Sequence, residues 1–257
     1  MKLRNKTAIV TGAGAGIGQA IATLFASEGA SVLCASLHEE KCKATALSIA
    51  NNGEEASFFA LDVGCKKEVG KLVSKCLTDF GKIDILVNSA GGLIGGPKRF
   101  MELTEEDLDA NLSANLKGIF FCSQAVAREM MKSGKGGKIV NIDSMWGTTA
   151  TSMTAHYSAS KGGVRMLTKA MGLALISSGI NVNSIAPGLT LTPFIRDEQK
   201  HQPEWVALQI AQIPIGRMAE PEEMAQVAIF LASSSSDYMV GETITVDGGW
   251  SICSMIV

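Results

Sequence analysis

Tyr157 and Lys161 stand four residues apart in "AHYSASKGG", residues 155–163. On a helix that spacing puts a phenol and an ammonium on one face. A free phenol ionises near pH ~10, too high for efficient proton transfer at neutral pH, and a nearby cation favours the phenolate. The pair therefore suits general acid/base work. A surface tyrosine beside a solvated lysine satisfies the same spacing. Ser144 closes the strand-like run "GKIVNIDS", residues 137–144, and adds a hydroxyl where a strand ends. His156 adjoins Tyr157, but consecutive helical residues do not share a face, so it reads as pocket wall or as solvent-facing.

A second constellation lies near the N-terminus. "TGAGAGIG", residues 11–18, follows an apolar run and precedes an amphipathic one. A strand, a glycine turn and a helix in that order make a phosphate cradle. Gly12 permits the tight turn, Gly16 lets backbone approach a pyrophosphate, and Gly18 lets the helix pack on the sheet. The helix start supplies N–H groups and partial positive charge. An ordinary strand-to-helix turn also uses glycine, so the placement matters more than the glycines.

The elements that must position these groups alternate regularly. Strands are predicted at 7–12, 31–36, 56–63, 83–91, 137–144, 180–188 and 242–249. Helices are predicted at 17–28, 39–52, 66–80, 104–131 (in two pieces), 157–178 and 221–232, with a helical insertion at 193–212 between Pro193 and Pro214. Continuous apolar strands alternating with helices indicate an α/β fold: a single-domain, Rossmann-like, doubly wound parallel sheet with helices on both faces. Ligands then bind at the carboxyl ends of the strands. Residues 1–257 read as one domain, with 189–215 a substrate-loop insertion beside those ends.

Composition narrows the function classes. The 257 residues carry a formal net charge of −2 and no Lys/Arg-rich tract, which gives nucleic acid no attractive field. The six cysteines form no CxxC pair and have no histidine cluster beside them, so no metal site is expected. "MKLRNKTAIVTG" runs straight into a strand without a signal-peptide core, and no apolar run is long enough to span a bilayer. A soluble, cytoplasmic protein with no membrane contact is expected.

Taken together, the motifs resemble the short-chain dehydrogenase/reductase family, in order and over nearly the whole chain. The resemblance rests on TGxxxGIG at 11–18, "LDV" with Asp62 and Val63, "NSAG" from Asn88 through Ala90 to Gly91, and "NLKG" with Asn115. It continues through Ser144, Tyr-xxx-Lys at 157 and 161, Pro187–Gly188 with Thr190 and Thr192, and "DGG" at 247–249. It implies that Ser144 hydrogen-bonds a substrate carbonyl, that Tyr157 exchanges a proton with that oxygen, and that Lys161 lowers the phenol's pKa and binds the nicotinamide ribose. Asn115 would hold a water next to Lys161. Gly12, Gly16, Ile17, Gly18, Ser36, Asp62, Val63, Asn88, Ala90, Gly91, Pro187, Gly188, Thr190 and Thr192 would line the dinucleotide, with Tyr157 and Lys161.

The family's acidic NAD-selecting position aligns with Ser36, and the positions often basic in NADP enzymes are Leu37 and Ala15. The cofactor is NAD or NADP, with a lean to NAD because no basic residue replaces the acid. Leu93, Met145, Trp146, His156 and Phe194 would form an apolar substrate wall, and no arginine is placed to clamp a carboxylate. A ketone or secondary alcohol is the expected substrate. A 3-oxoacyl thioester is the enzymatic alternative, with Arg128 and Lys132 available to an acidic carrier. A nicotinamide-sensing protein without turnover is the alternative of another class, although it would have no use for Ser144, Tyr157, Lys161 and Asn115 together. Asp143 stands where the family often has Ser. A homotetramer is expected through helix 157–178, whose Gly162, Gly163, Ala170, Gly172 and Ala174 allow close packing, and the apolar ending "WSICSMIV" is expected at an interface.

Overall fold

The computed structural model describes residues 1–253. Seven strands form one sheet: β1 (Thr7–Thr11), β2 (Ser31–Ser36), β3 (Ala56–Ala60), β4 (Ile85–Asn88), β5 (Gly137–Ile142), β6 (Ile180–Pro187) and β7 (Thr243–Val246). Their spatial order is β3-β2-β1-β4-β5-β6-β7, and every pairing is parallel. From β1 the chain winds first to one side and then to the other. That reversal opens a crevice at the carboxyl ends of β1 and β4.

Both sheet faces are covered, as the unbroken apolar strands require. Ala8, Val10, Val32 and Val87 pack on one face under Ile21 and Phe25 of α1 (Gly16–Ser27) and Met224 and Ile229 of α9 (Pro221–Ala232). Ile9, Leu33, Leu86 and Ile139 point the other way. They meet Leu72 of α3 (Lys66–Phe80) and Val126 and Met130 of α5 (Gly118–Ser133). Neighbours along β1 thus serve opposite layers, the two-residue period of a strand.

Several expected boundaries move. The third strand stops at Ala60, leaving Asp62 and Val63 in the following loop, and the last strand covers only 243–246. The helix predicted in two pieces is α4 (Glu105–Leu112) and α5 joined without a break by a π-helical turn, Ser113–Lys117, with Asn115 inside it. A π-turn admits one extra residue and re-aims the side chains around it. The helix carrying Tyr157 is α6 (Ala155–Leu175), which starts two residues early and ends in a 3-10 turn at 176–178. The insertion is two helices, α7 (Pro193–His201) and α8 (Pro203–Ala211), broken at Gln202 because Pro203 cannot continue α7. The helix α2 (Glu39–Asn51) lies beside β2 and β3.

The small residues of α6 are used partly within the chain. A Cβ on Gly163 would lie 3.0 Å from Leu116, and one on Gly172 would lie 3.0 Å from the Gly241 nitrogen. Trp250 packs on a small apolar cluster of Ile195, Val206, Ile213 and Met218 that holds the insertion. The rest of the ending expected at an interface, residues 254–257, lies outside the described residues.

Candidate active site

The glycine turn joins β1 to α1 and leaves the helix start uncapped: Ala15 offers no side-chain acceptor, and the first turn has no acidic residue. The amides at this helix start are thus available to an external anion, while that of Ala13 donates to the Ala35 carbonyl at 3.0 Å. Gly12 needs its left-handed φ of 69°, and a Cβ there would lie 2.6 Å from the Ser89 oxygen and 2.8 Å from the Ala90 nitrogen. Gly18 lies directly on the Gly12 carbonyl, and Gly16 has a left-handed φ of 55° with a Cβ position 3.0 Å from the Thr192 methyl. Thr11 bonds the Ser89 and Ala90 amides at 3.1 and 3.2 Å, setting the "NSAG" loop against this turn. A narrow amide-lined cradle that a Cβ would fill fits the pyrophosphate of a dinucleotide.

Other expected cofactor residues divide into those at the cradle and those serving the scaffold. Ser36 lies at the rim, its Oγ 3.0 Å from where a Gly14 Cβ would stand and donating to the His38 carbonyl at 2.8 Å. Asp62 is exposed, and its Oδ1 accepts from the Gly64 amide at 2.8 Å. Val63 is buried against Gly118. Thr190 is buried, and its hydroxyl donates to the Gly188 carbonyl; Gly188 packs on Asp247 after Pro187. Asn88 points inward: its Nδ2 donates to Ser123 Oγ at 3.0 Å and Asn141 Oδ1 at 2.8 Å. Its amide nitrogen thus ties β4 to β5 and α5 beneath the site.

Ser144, Tyr157 and Lys161 converge at the carboxyl end of β5. Ser144 is buried and accepts from the Trp146 amide at 3.2 Å, where a 3-10 turn, Met145–Gly147, begins. Tyr157 lies in the first turns of α6, with Trp146 edge-on to its ring at 6.2 Å between centroids. Lys161 is buried; its Nζ donates to the Ile142 carbonyl at 2.8 Å and stands 5.7 Å from the Tyr157 ring centre. The ammonium therefore meets the ring face rather than the phenol oxygen. Burial pushes the phenol up to about 12; Ser144 pulls it down and the Asp143 charge adds to the rise. Burial likewise pulls Lys161 down to about 8, opposed by Asp143. The resemblance implies a phenol lowered by Lys161; burial, the largest influence on this phenol, acts in the opposite direction.

Asn115 is buried and fully bonded within the chain. Its Oδ1 accepts from the Gly92 amide at 2.8 Å, and its Nδ2 donates to the Gly92 carbonyl and to Ser160 Oγ, both at 3.0 Å. The side chain is a strut between the "NSAG" loop and α6, with no bond to Lys161. Gly91 is obligatory, since any Cβ would collide with the Asn115 amide. Of the expected substrate wall, Trp146 and Leu93 are partly exposed and Phe194 is 57% exposed on α7. Met145 is enclosed beneath its turn at 3%, because its carbonyl anchors Thr148 and Thr149. His156 is neither wall nor solvent-facing in any open sense: it is 2% exposed, and neither ring nitrogen has a partner.

With this geometry, the chain can be compared with known proteins. A family model described as enoyl-(acyl carrier protein) reductase matches residues 12–251. The chain belongs to the short-chain dehydrogenase/reductase family. It is a nicotinamide-dependent oxidoreductase of CH–OH groups. A sorbitol dehydrogenase of Cereibacter sphaeroides is 39% identical, covering 97% of this chain and 98% of that one. A 3-oxoacyl-(acyl-carrier-protein) reductase of Thermotoga maritima is 36% identical, covering 97% and 99%. A crystal structure from Agrobacterium tumefaciens with bound NADP is 34% identical, covers 98% of each chain and has a TM-score of 0.88.

Sequence reasoning about this dehydrogenase/reductase missed four supporting residues. Thr11 sets the "NSAG" loop. Ser160 joins Asn115 to the Tyr157 carbonyl. Asn111, fully buried, bonds Ile94 through both its amide nitrogen and its oxygen. Arg165 binds Asp143. The one signal available was spacing: Asn111 and Asn115, like Lys161 and Arg165, stand one helical turn apart.

Proposed function

We propose that this chain interconverts a neutral or moderately apolar ketone and its secondary alcohol, with Tyr157 as the proton-transfer group. The observation that carries this reading is the meeting of Ser144, Tyr157 and Lys161 beside an uncapped glycine cradle, with burial holding the phenol protonated. A nicotinamide bound there supplies or accepts the hydride. Ser144 donates a hydrogen bond to the substrate oxygen and stabilises its developing charge. Tyr157 donates its proton to that oxygen, and takes it back in alcohol oxidation. Lys161, fixed on the Ile142 carbonyl, keeps a positive charge against the phenol ring and offers hydrogen bonds to ribose hydroxyls. The amides of Gly12–Gly18, with Ala90, Gly91, Gly188 and Thr192 around them, hold the dinucleotide.

Selection between the dinucleotides is weak in this reading. Ser36 brings no carboxylate to favour the ribose hydroxyl or to repel a phosphate. Lys41 lies against Gly14, its Cβ 2.8 Å from where a glycine Cβ would stand, and can approach a 2′-phosphate. We expect the two kcat/KM values to lie within about tenfold, or ~1.4 kcal/mol. Lys41→Glu should move the preference toward NAD, as read by dinucleotide titration.

A 3-oxoacyl thioester remains a second substrate reading, favoured by the relative of that name at 36% identity. A panel of polyols, simple ketones and 3-oxoacyl thioesters with both dinucleotides separates the two. Turnover confined to thioesters would overturn the ketone reading, and binding without turnover on any member would overturn catalysis altogether. No helix among the described residues is long and apolar enough to cross a membrane. A cytoplasmic homotetramer is part of the proposal, supported by Met166 and Leu173 exposed on α6 at 65% and 79%. Light scattering tests the assembly.

A further inference from the structure

Asp143 immediately precedes Ser144, and its side chain is wholly enclosed. Arg165 Nε donates to its Oδ2 at 2.9 Å. Arg165 lies one turn beyond Lys161 on α6, so the ion pair bolts the end of β5 to the helix that carries Tyr157 and Lys161. The fit around it is tight. A Cβ on Gly147 would lie 2.7 Å from Asp143 Oδ1 and 3.1 Å from the Lys161 carbonyl, so a carboxylate at 143 depends on glycine at 147. Asp143 Oδ1 and Arg165 Nη2 have no partner. The pair is thus a single contact, and the charge on Asp143 is incompletely neutralised.

A buried pair of this kind adds little stability over apolar groups of the same shape. Its field is the better explanation. We propose that Asp143 is a positioning residue that sets the proton affinity of the catalytic pair: its enclosed carboxylate, held by Arg165, keeps Tyr157 in the proton-donor form and Lys161 as an ammonium. The role assigned to Tyr157 under the proposed function is assumed.

The surroundings leave few competitors. Among the described residues, and besides the enclosed phenol of the half-buried Tyr157, Asp143, His156 and Lys161 are the only buried titratable side chains other than cysteines. β6, packed on α6, carries no titratable group. The 3-10 turn Met145–Gly147 carries none either. On α4, Glu105, Glu106 and Asp109 are exposed and Asp107 is paired with Lys98. Lys117 and Arg128 are exposed, and Lys132 on α5 pairs with Glu129. The directions agree: the Asp143 charge raises both the phenol and the amine, while Arg165 and Lys161 oppose the rise that burial imposes on Asp143 itself.

The chain has only two tyrosines, and Tyr238 is fully exposed. In a Tyr238→Phe background, phenolate absorbance therefore reports Tyr157 alone, without dinucleotide or substrate. Asp143→Asn keeps the shape and removes the charge; the Tyr157 midpoint should fall by roughly one pH unit. The Lys161 amine, titrating near 8, should move the same way, as read from its side-chain nitrogen resonance. Asp143→Asn combined with Arg165→Gln removes both members of the pair, and it should lower both midpoints by less. Unchanged midpoints in either folded variant would overturn the proposal and leave Asp143 a strut. Because the titration requires no turnover, it remains decisive whether or not a carbonyl substrate is found.

Discussion

Beneath the reacting groups, buried amides and hydroxyls run from β4 to α6. Asn88 bonds Ser123 and Asn141, Asn141 bonds Thr168, and Thr168 bonds the Val164 carbonyl, all between 2.8 and 3.0 Å. Above them, α7 and α8 are held by four buried apolar residues and by exposed ion pairs such as Arg196–Glu220. Phe194, Leu208 and Ile215 there remain more than half exposed. The floor is held by directional bonds that have one good geometry; the flap is held by a small apolar contact that tolerates sliding. Proton transfer needs the first, because small misplacements of reacting groups are costly. In the proposed function, substrate entry and choice draw on the second.

Breaking the floor should cost most. Tyr157→Phe removes the transferable proton and should lower kcat by about 10²–10⁴-fold, with dinucleotide binding unchanged by fluorescence titration. Retained turnover would move the proton donor elsewhere. Lys161→Met sharpens the contrast through stability. The folded pKa of Lys161 is depressed to about 8 from 10.5, so between those values the unfolded chain binds the proton and the folded one does not. Stability attributable to this group therefore rises with pH across that window and is lowest below it. The methionine variant should be inactive yet more stable at pH 7, with the gain shrinking by pH 10 in chemical denaturation. Asn141→Leu removes one of the two bonds of Asn88 Nδ2 and the donor to Thr168 Oγ1, and should destabilise the fold by about 1–3 kcal/mol in all. Phe194→Ala, in the flap, should leave the melting temperature nearly unchanged. It should change kcat/KM by about tenfold, mostly through KM. Equal stability losses for Asn141→Leu and Phe194→Ala would erase the distinction between floor and flap.

Much of the floor was legible in the chain, because its signals are local. The apolar strands, the strand–glycine–helix order and the four-residue spacing of Tyr157 and Lys161 each follow from backbone periodicity. The direction of Asn88, the enclosure of His156 and the employment of Asn115 on Gly92 were not legible. Each depends on which neighbour a side chain meets once distant parts of the chain have come together, 53 residues apart for Asn88 and Asn141 and 23 for Asn115 and Gly92. The break between α7 and α8 shows the same boundary at smaller scale: the single insertion expected over 193–212 is split at Pro203, and how the two helices then fold depends on Ile195, Val206, Ile213 and Met218 finding one another.

By itself the sequence determined that this is a doubly wound α/β chain with a glycine cradle and a Ser, Tyr and Lys set in family order, since those properties reside in residue type and spacing. The tertiary structure alone decided the electrostatics. The phenol of Tyr157 stands above its ordinary pKa because the fold buries it, and the amine of Lys161 is aimed at the Ile142 carbonyl. Asp143 gains influence over both because the fold encloses its charge with one arginine. Desolvation and the distance between charges exist only once the chain has closed around them, and those two quantities set a pKa.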